Sequence, residues 1–159
     1  MSRRIVVLAG DGIGPEVTGA AVEVLRALDA RCGLGLHFDA HAFGGAAIDS
    51  DGEPLPQHTL DACRRADAIL LGAVGGPKWA NVPVAIRPEA GLLKLRRELG
   101  LYANIRPLQI HPALIDASPL KAERIRDVDL IVVRELTGGV YYGKPSERRT
   151  GAAGREAVD

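Results

Sequence analysis

The chain has 159 residues, of which 47% are hydrophobic and 25% charged, a balance that argues against disorder as its main state. Its 20 basic residues balance 20 acidic ones, so no overall field attracts nucleic acid or a membrane surface, and an anion would need a local cluster of charge. No run approaches the ~20 apolar residues of a membrane helix. Because Cys32 and Cys63 lie far apart outside any metal-ligand spacing, we expect a cytoplasmic protein with reduced thiols.

Hydrophobic patterning predicts strands that alternate with helices. Residues 4–9 form a continuous apolar run typical of a buried strand, residues 10–14 form a glycine turn, and Pro15 suits the first position of a helix. The same reasoning predicts strands over residues 36–43, 68–72, 102–106 and 130–135, and helices over residues 57–66 and 89–99. This alternation favours an α/β architecture with a largely parallel sheet, whereas residues 144–159 show no apolar periodicity and predict no closing element.

The glycine turn after the first strand reads GDGIG and has part of a dinucleotide-binding fingerprint. Pro15 stands where that fingerprint requires a third glycine, so the turn argues against a Rossmann fold. A strand-turn-helix junction of this kind also occurs for structural reasons alone. The turn by itself therefore leaves both a ligand-binding and a structural role open.

Three arginines lie where an anion site could form: Arg96 on a predicted helix, Arg106 at the end of a strand, and Arg134 inside an apolar run. An arginine buried in a strand is costly unless it meets an anion, and its planar guanidinium fits a carboxylate. A salt bridge to an acid such as Glu89 or Glu135 is the structural alternative for each arginine. Together, the three favour a local site for an anion such as a carboxylate at the strand ends, without indicating which anion.

Two aromatic residues lie in glycine-containing segments. Tyr141 is within residues 138–143, where the glycines alone favour a hairpin with surface aromatic side chains. Its alternative role is that of a general acid, because nearby arginines would lower the pKa of a phenol. Trp79 follows Gly76, Pro77 and Lys78 in a loop, either as a packing anchor or as part of a cofactor wall.

Several long segments resemble the isocitrate and isopropylmalate dehydrogenase family, in register from Ile5 to about Gly143. They read LAGDGIGPEV from Leu8, FGGAAID from Phe43, GAVGGPKW from Gly72 and RELTGGVYYG from Arg134. A further segment, RPEAGLLKLR from Arg87, resembles the isopropylmalate-oxidising members in particular. The resemblance implies the family's own α/β fold, which is not a Rossmann fold and would be incomplete in this chain. Residues 1–100 would form the N-terminal part of a discontinuous first domain, and residues 101–159 would begin a second domain for substrate binding and dimerisation.

The resemblance also implies roles for individual residues. Arg96, Arg106 and Arg134 would hold the substrate carboxylates, and Tyr141 would protonate the carbon left after decarboxylation. NAD would bind along residues 76–89, with a cofactor set of Ile13, Gly76, Pro77, Lys78, Trp79 and Glu89.

Leu92 and Leu93 bear on which substrate is bound. They stand where isocitrate-oxidising members of the family carry polar residues. An apolar pair suits an isopropyl group and would leave a third carboxylate desolvated and unpaired. The pair therefore favours 3-isopropylmalate over isocitrate, while homoisocitrate and tartrate-like acids remain open.

The reaction implied is NAD-dependent oxidative decarboxylation of 3-isopropylmalate to a 2-oxo acid in leucine biosynthesis, by a homodimer that uses Mg²⁺ or Mn²⁺; use of NADP is left open. Family members are longer, and the resemblance places the catalytic lysine and the metal-binding aspartates beyond residue 159. We therefore expect this chain alone to be inactive, with exposed sheet edges and apolar faces. A truncated, non-catalytic remnant is the alternative.

Overall fold

The computed structural model describes residues 2–138, 147–151 and 154–158, and the chain divides into two compact units, Met1–Leu99 and Gly100–Asp159. The helices are Gly14–Cys32 (α1), Gly45–Asp51 (α2), Gln57–Arg64 (α3), Pro88–Glu98 (α4) and Ala122–Ile125 (α5). The strands are Arg3–Gly10 (β1), Leu36–Ala40 (β2), Ala68–Ala73 (β3), Ala103–Gln109 (β4), Asp129–Glu135 (β5), Glu147–Gly151 (β6) and Gly154–Val158 (β7). Short 3-10 segments cover Pro77–Trp79, Val84–Ile86 and Pro112–Ala117. Among the described residues, no helix combines the length and apolarity needed to cross a membrane.

The first unit is built on a parallel sheet of three strands in the order β2-β1-β3. Val6 and Leu8 on one face of the central strand are fully buried, and Val7 on the other face is 8% exposed, as expected for a strand that is covered on both faces. Helix α1 begins after the glycine turn with Pro15 in its first turn and contacts β1 and β3. The predicted strand-turn-helix opening and parallel sheet are confirmed for this unit.

The core of the first unit also fixes the segments that follow the strands. Phe43 and Leu55, which flank α2, are fully buried, so α2 is held in place although its 7 residues are too few to show a helical pattern in the sequence. Leu95 anchors α4 in the same core. Gly91 lies so close to Pro54 that an added Cβ would be 2.9 Å from the Pro54 carbonyl oxygen. Helix α4 therefore has its own attachment to the core.

The second unit contains an antiparallel ribbon of β4 and β5, so the prediction of a largely parallel sheet is wrong for this part of the chain. Strand β4 does not end before Pro107, which pairs with Ile131, because the outer edge of a ribbon needs no N–H from proline. The expectation that β5 is buried is also wrong, since Ile131 and Val133 are 61% and 64% exposed. The expected exposure of apolar sheet surface is thus observed.

Strands β6 and β7 form an antiparallel hairpin in a region where the sequence predicted no element. The hairpin is polar: the Nε of Arg149 donates to Glu156 Oε2 at 3.0 Å across the strands. Opposite charges on directly paired residues contribute to strand pairing without any apolar face. The absence of hydrophobic periodicity was therefore a poor guide to structure here.

Candidate active site

Asp11 ties three loops together at the carboxyl end of the parallel sheet. Its side chain is buried, with the residue only 3% exposed. Oδ2 accepts hydrogen bonds from the N–H groups of Gly45 and Gly75, each at 2.8 Å, and Oδ1 accepts one from Ala46 at 2.7 Å. The Asp11 N–H donates to the Ala73 carbonyl at 2.6 Å. Because three N–H groups compensate the buried charge, this carboxylate joins the loops that follow β1, β2 and β3.

Glycines allow these loops to approach one another. Gly44 and Gly75 have φ values of +70° and +95°, a left-handed backbone that other residues rarely adopt. A Cβ on Gly45 would lie 2.4 Å from the indole ring of Trp79, and one on Gly75 would lie 2.5 Å from Glu89 Oε1. The structure therefore brings Trp79 and Glu89, two residues of the predicted cofactor set, against the glycine loops.

Lys78 and Trp79 are attached to α2 through Asp49. Lys78 Nζ lies 2.6 Å from Asp49 Oδ2, and Trp79 Nε1 donates to Asp49 Oδ1 at 3.2 Å. The hydrogen bond from Lys78 is the main cause that lowers the pKa of Asp49 below its ordinary value of 3.8. Trp79 is half-buried and hydrogen-bonded, as expected for a packing anchor. The contact of Trp79 with a cofactor stays a prediction.

The other residues of the predicted cofactor set lie at the same end of the first unit. Gly76 and Pro77 are exposed and lead from Gly75 to Trp79. Ile13 is exposed immediately before α1, and the N–H of Gly14 donates to the Asp11 carbonyl at 2.8 Å. The set therefore lies in or directly after the loops that Asp11 joins.

One face of α4 carries four predicted site residues at intervals of three and four positions: Glu89, Leu92, Leu93 and Arg96. Such spacing places side chains on the same side of a helix. Leu92 packs against the core, Leu93 is 38% exposed, and Arg96 is half-buried. Arg96 forms no ion pair with any acid in the described part of the chain, so the salt-bridge alternative is not supported for it.

Arg106 and Arg134 share a face of the β4-β5 ribbon. The register pairs Asn104 with Arg134 and Arg106 with Val132, so the two arginines are diagonal neighbours on adjacent strands. Arg106 Nε donates to Asn104 Oδ1 at 2.9 Å. The structure therefore brings together two of the three predicted arginines within the second unit, while Arg96 belongs to the first.

Tyr141 lies outside the described residues, and the segment that leads to it begins with a turn at Glu135. The Glu135 carboxylate accepts hydrogen bonds from the hydroxyl and N–H groups of Thr137, and from the Gly138 N–H at 2.9 Å. These bonds, with the Thr137 hydroxyl first, lower the pKa of Glu135 below its usual range. Sequence reasoning singled out neither Glu135 nor Asp11 for such roles.

Residues 4–159 match the model described as isocitrate/isopropylmalate dehydrogenase. The 3-isopropylmalate dehydrogenase of Heyndrickxia coagulans is 57% identical over 159 residues, which is 100% of this chain and 43% of that protein. The 3-isopropylmalate dehydrogenase of Saccharophagus degradans is 57% identical over 145 residues, or 91% of this chain and 41% of that protein. The chain thus spans less than half the length of these relatives.

Solved structures show the same architecture. The apo β-decarboxylating dehydrogenase of Thermococcus kodakarensis has a TM-score of 0.64 at 28% identity, covering 99% of this chain and 40% of that one. The isocitrate dehydrogenase of Methylococcus capsulatus has a TM-score of 0.65 at 29% identity, covering 98% of this chain and 42% of that one. The α/β fold that the sequence predicted is therefore confirmed, as part of a larger fold in these relatives. The chain belongs to the isocitrate/isopropylmalate dehydrogenase family.

Proposed function

We propose that the full-length protein containing this chain oxidises and decarboxylates 3-isopropylmalate to a 2-oxo acid with NAD, as a step of leucine biosynthesis. The isopropylmalate enzyme of Heyndrickxia coagulans is 57% identical to this chain, whereas the isocitrate enzyme of Methylococcus capsulatus is 29% identical. Because both kinds of enzyme share the fold, the choice of substrate has to be argued from side chains.

The observation that carries the proposal is the face of α4. Arg96 supplies a guanidinium without an ion-pair partner in the described chain, and Leu92 and Leu93 lie one helical turn before it. A dicarboxylate with an apolar branch matches this combination, since the guanidinium binds a carboxylate while the leucines cover the branch. Isocitrate would instead place its third carboxylate against the leucines, where it would be desolvated and unpaired.

The remaining substrate residues have proposed roles in the second unit. Arg106 and Arg134 would bind carboxylate oxygens from their shared face of the ribbon. Tyr141 would donate its phenolic proton to the carbon that loses CO2, as the general acid of the last step.

NAD is the proposed cofactor, and the residues at the carboxyl end of the parallel sheet fit it. Gly75 lies against the carboxylate of Glu89, and the indole ring of Trp79 lies against Gly45 and beside Gly76. Ile13 adds an exposed apolar side chain at the turn before α1. When bound, NAD would accept the hydride from C2 of the substrate. The loops themselves would orient the cofactor and exclude water from its face.

Mg²⁺ or Mn²⁺ is proposed as the metal of the full-length protein, with its ligands outside this chain. The described residues bring together no group of three histidine, cysteine, aspartate or glutamate side chains that could hold an ion. A homodimer and a cytoplasmic location are further proposals, as is the lack of a nucleic-acid or membrane partner, which the formal net charge of +0 supports.

The test is an assay of the full-length protein with 3-isopropylmalate and Mg²⁺, first with NAD and then with NADP. We expect reduction of NAD and release of CO2 in equal amounts. Reduction without CO2 release would indicate a different oxidation. No reduction of either cofactor would favour the alternative of a non-catalytic protein.

A further inference from the structure

We infer that Asp11 is a positioning residue for the cofactor: its buried carboxylate sets the geometry of the loop that would line NAD. The inference rests on the proposed function, because it assigns how that cofactor site is held. Asp11 would contact neither NAD nor substrate. Its effect would pass through the backbone N–H groups that it binds.

The hydrogen bonds of Asp11 connect its carboxylate to the backbone of the proposed cofactor segment. One oxygen, Oδ2, accepts from Gly75 and from Gly45, each at 2.8 Å, so a single atom joins the loop after β3 to the start of α2. Gly75 is followed directly by Gly76 and lies against the carboxylate of Glu89. Displacing the Gly75 N–H would therefore move the first residue of the proposed cofactor segment and the surface that Glu89 packs on.

The start of α2 transmits the same constraint to Trp79. The indole ring lies against Gly45, and its Nε1 donates to Asp49 on α2. Asp11 holds Gly45 and Ala46 at 2.8 Å and 2.7 Å, so it fixes the surface against which Trp79 rests. Both ends of the short segment from Gly75 to Trp79 thus depend on one carboxylate.

The proposed carboxylate-binding face of α4 is held independently of Asp11. Leu95 is buried in the core, and Gly91 packs against Pro54. Lys94 adds a surface contact, with its Nζ 3.4 Å from the Leu55 carbonyl. Loss of the Asp11 hydrogen bonds is therefore expected to weaken cofactor binding while the binding of the dicarboxylate is kept. A carboxylate that merely stabilised the fold would show no such selectivity.

The test is calorimetric titration of the full-length protein with NAD and, separately, with 3-isopropylmalate in Mg²⁺ buffer. Asp11→Asn has one accepting oxygen in place of two, so at least one of the three N–H groups faces an NH2 group. We expect the Kd for NAD to rise about tenfold or more, as for loss of a hydrogen bond to a charged group. The Kd for 3-isopropylmalate is expected to change less than about twofold.

Asp29→Asn is the matched control. Asp29 Oδ1 also accepts backbone hydrogen bonds, from Gly35 at 2.7 Å and from Leu36 at 3.3 Å, but at the opposite, amino end of the sheet. The same chemical change there should leave both Kd values as in the wild type. An equal rise in the NAD Kd in both variants would overturn the inference, because it would reflect general destabilisation.

Gly75→Ala keeps the inference testable if Asp11→Asn fails to fold. The added Cβ is strained at a φ of +95° and would meet Glu89, so it displaces the same segment from its other side. Selective loss of NAD binding supports the inference, and unchanged or equally weakened binding of both ligands overturns it. A wild-type protein that binds no NAD refutes the proposed function as well, whereas wild-type affinity in Asp11→Asn refutes the inference alone.

Discussion

Substitution of Leu93 tests whether Leu92 and Leu93 form an apolar wall against the isopropyl group of the substrate. It is 38% exposed on α4, so Leu93→Asn should cost the fold only about 0.5 kcal/mol in helix propensity. Burying the three carbons of an isopropyl group, at about 0.8 kcal/mol each, is worth about 2.4 kcal/mol. If Leu92 and Leu93 share this contact, Leu93 contributes about 1.2 kcal/mol, which corresponds to about an eightfold loss of kcat/KM for 3-isopropylmalate.

The assay is the initial rate of NAD reduction by the full-length protein with 3-isopropylmalate and with malate, which lacks the isopropyl group. Only the rate with 3-isopropylmalate should fall, since the wall has nothing to contact on malate. Ala27→Asn is the control, because Ala27 is a small, exposed residue on α1. An equal loss with both substrates, or no loss with either, would refute the reasoning.

Three further predictions concern the first unit. Lys78→Met removes the hydrogen bond that lowers the pKa of Asp49, so this pKa should rise toward 3.8. The ionised Asp49 carboxylate stabilises its contacts at pH values above its pKa in the unfolded chain, and these contacts are lost as the pH falls through its pKa in the folded chain. Because the folded-state pKa is higher in the variant, the NMR signal of the Trp79 indole N–H, which donates to Asp49, should respond to acid at higher pH than in the wild type. Gly45→Ala places a Cβ 2.4 Å from the indole, which should move outward and shift its fluorescence to the red. Phe43→Ala empties a fully buried site and should lower the free energy of unfolding by about 3–5 kcal/mol in urea titrations.

Each of these predictions has a matched control. Lys78→Arg should keep the wild-type acid response of the indole signal. Gly19 lies on α1, and a Cβ added there would have no neighbouring atom within 4 Å. Gly19→Ala should therefore leave the fluorescence of Trp79 unchanged, while it stabilises the helix by up to about 1 kcal/mol. Val24→Ala, on an exposed position of α1, should change stability by less than about 0.5 kcal/mol. An unmoved acid transition, an unshifted emission or a loss below about 1 kcal/mol for Phe43→Ala would contradict the respective prediction.

The parallel sheet could be predicted because its signals are local. The apolar run around Val6 and Leu8 and the proline after the glycine turn indicate a buried strand and the start of a helix without knowledge of distant residues. The β4-β5 ribbon could not be predicted in the same way. A run such as residues 130–135 reports that side chains are apolar, but it does not report the direction of the partner strand or what covers its faces.

The candidate site shows the same division. The sequence predicted the helix over residues 89–99, and helical spacing alone then places Glu89, Leu92, Leu93 and Arg96 on one face. The role of Asp11 could not be read from the sequence. It depends on backbone N–H groups 34, 35 and 64 residues further along the chain, which only the tertiary structure brings together. The one local signal is an acidic residue between two glycines at the end of a buried strand.

The ratio of kcat/KM for 3-isopropylmalate to that for isocitrate, measured with NAD on the full-length protein, tests the central claim most directly. Helix α4 carries Arg96 one turn after the apolar pair Leu92 and Leu93. The ratio should therefore be about 100 or more, because a substrate whose polar group is left buried and unpaired is disfavoured on that scale. A ratio at or below one would contradict the account, because the leucines would then have no part in choosing the substrate.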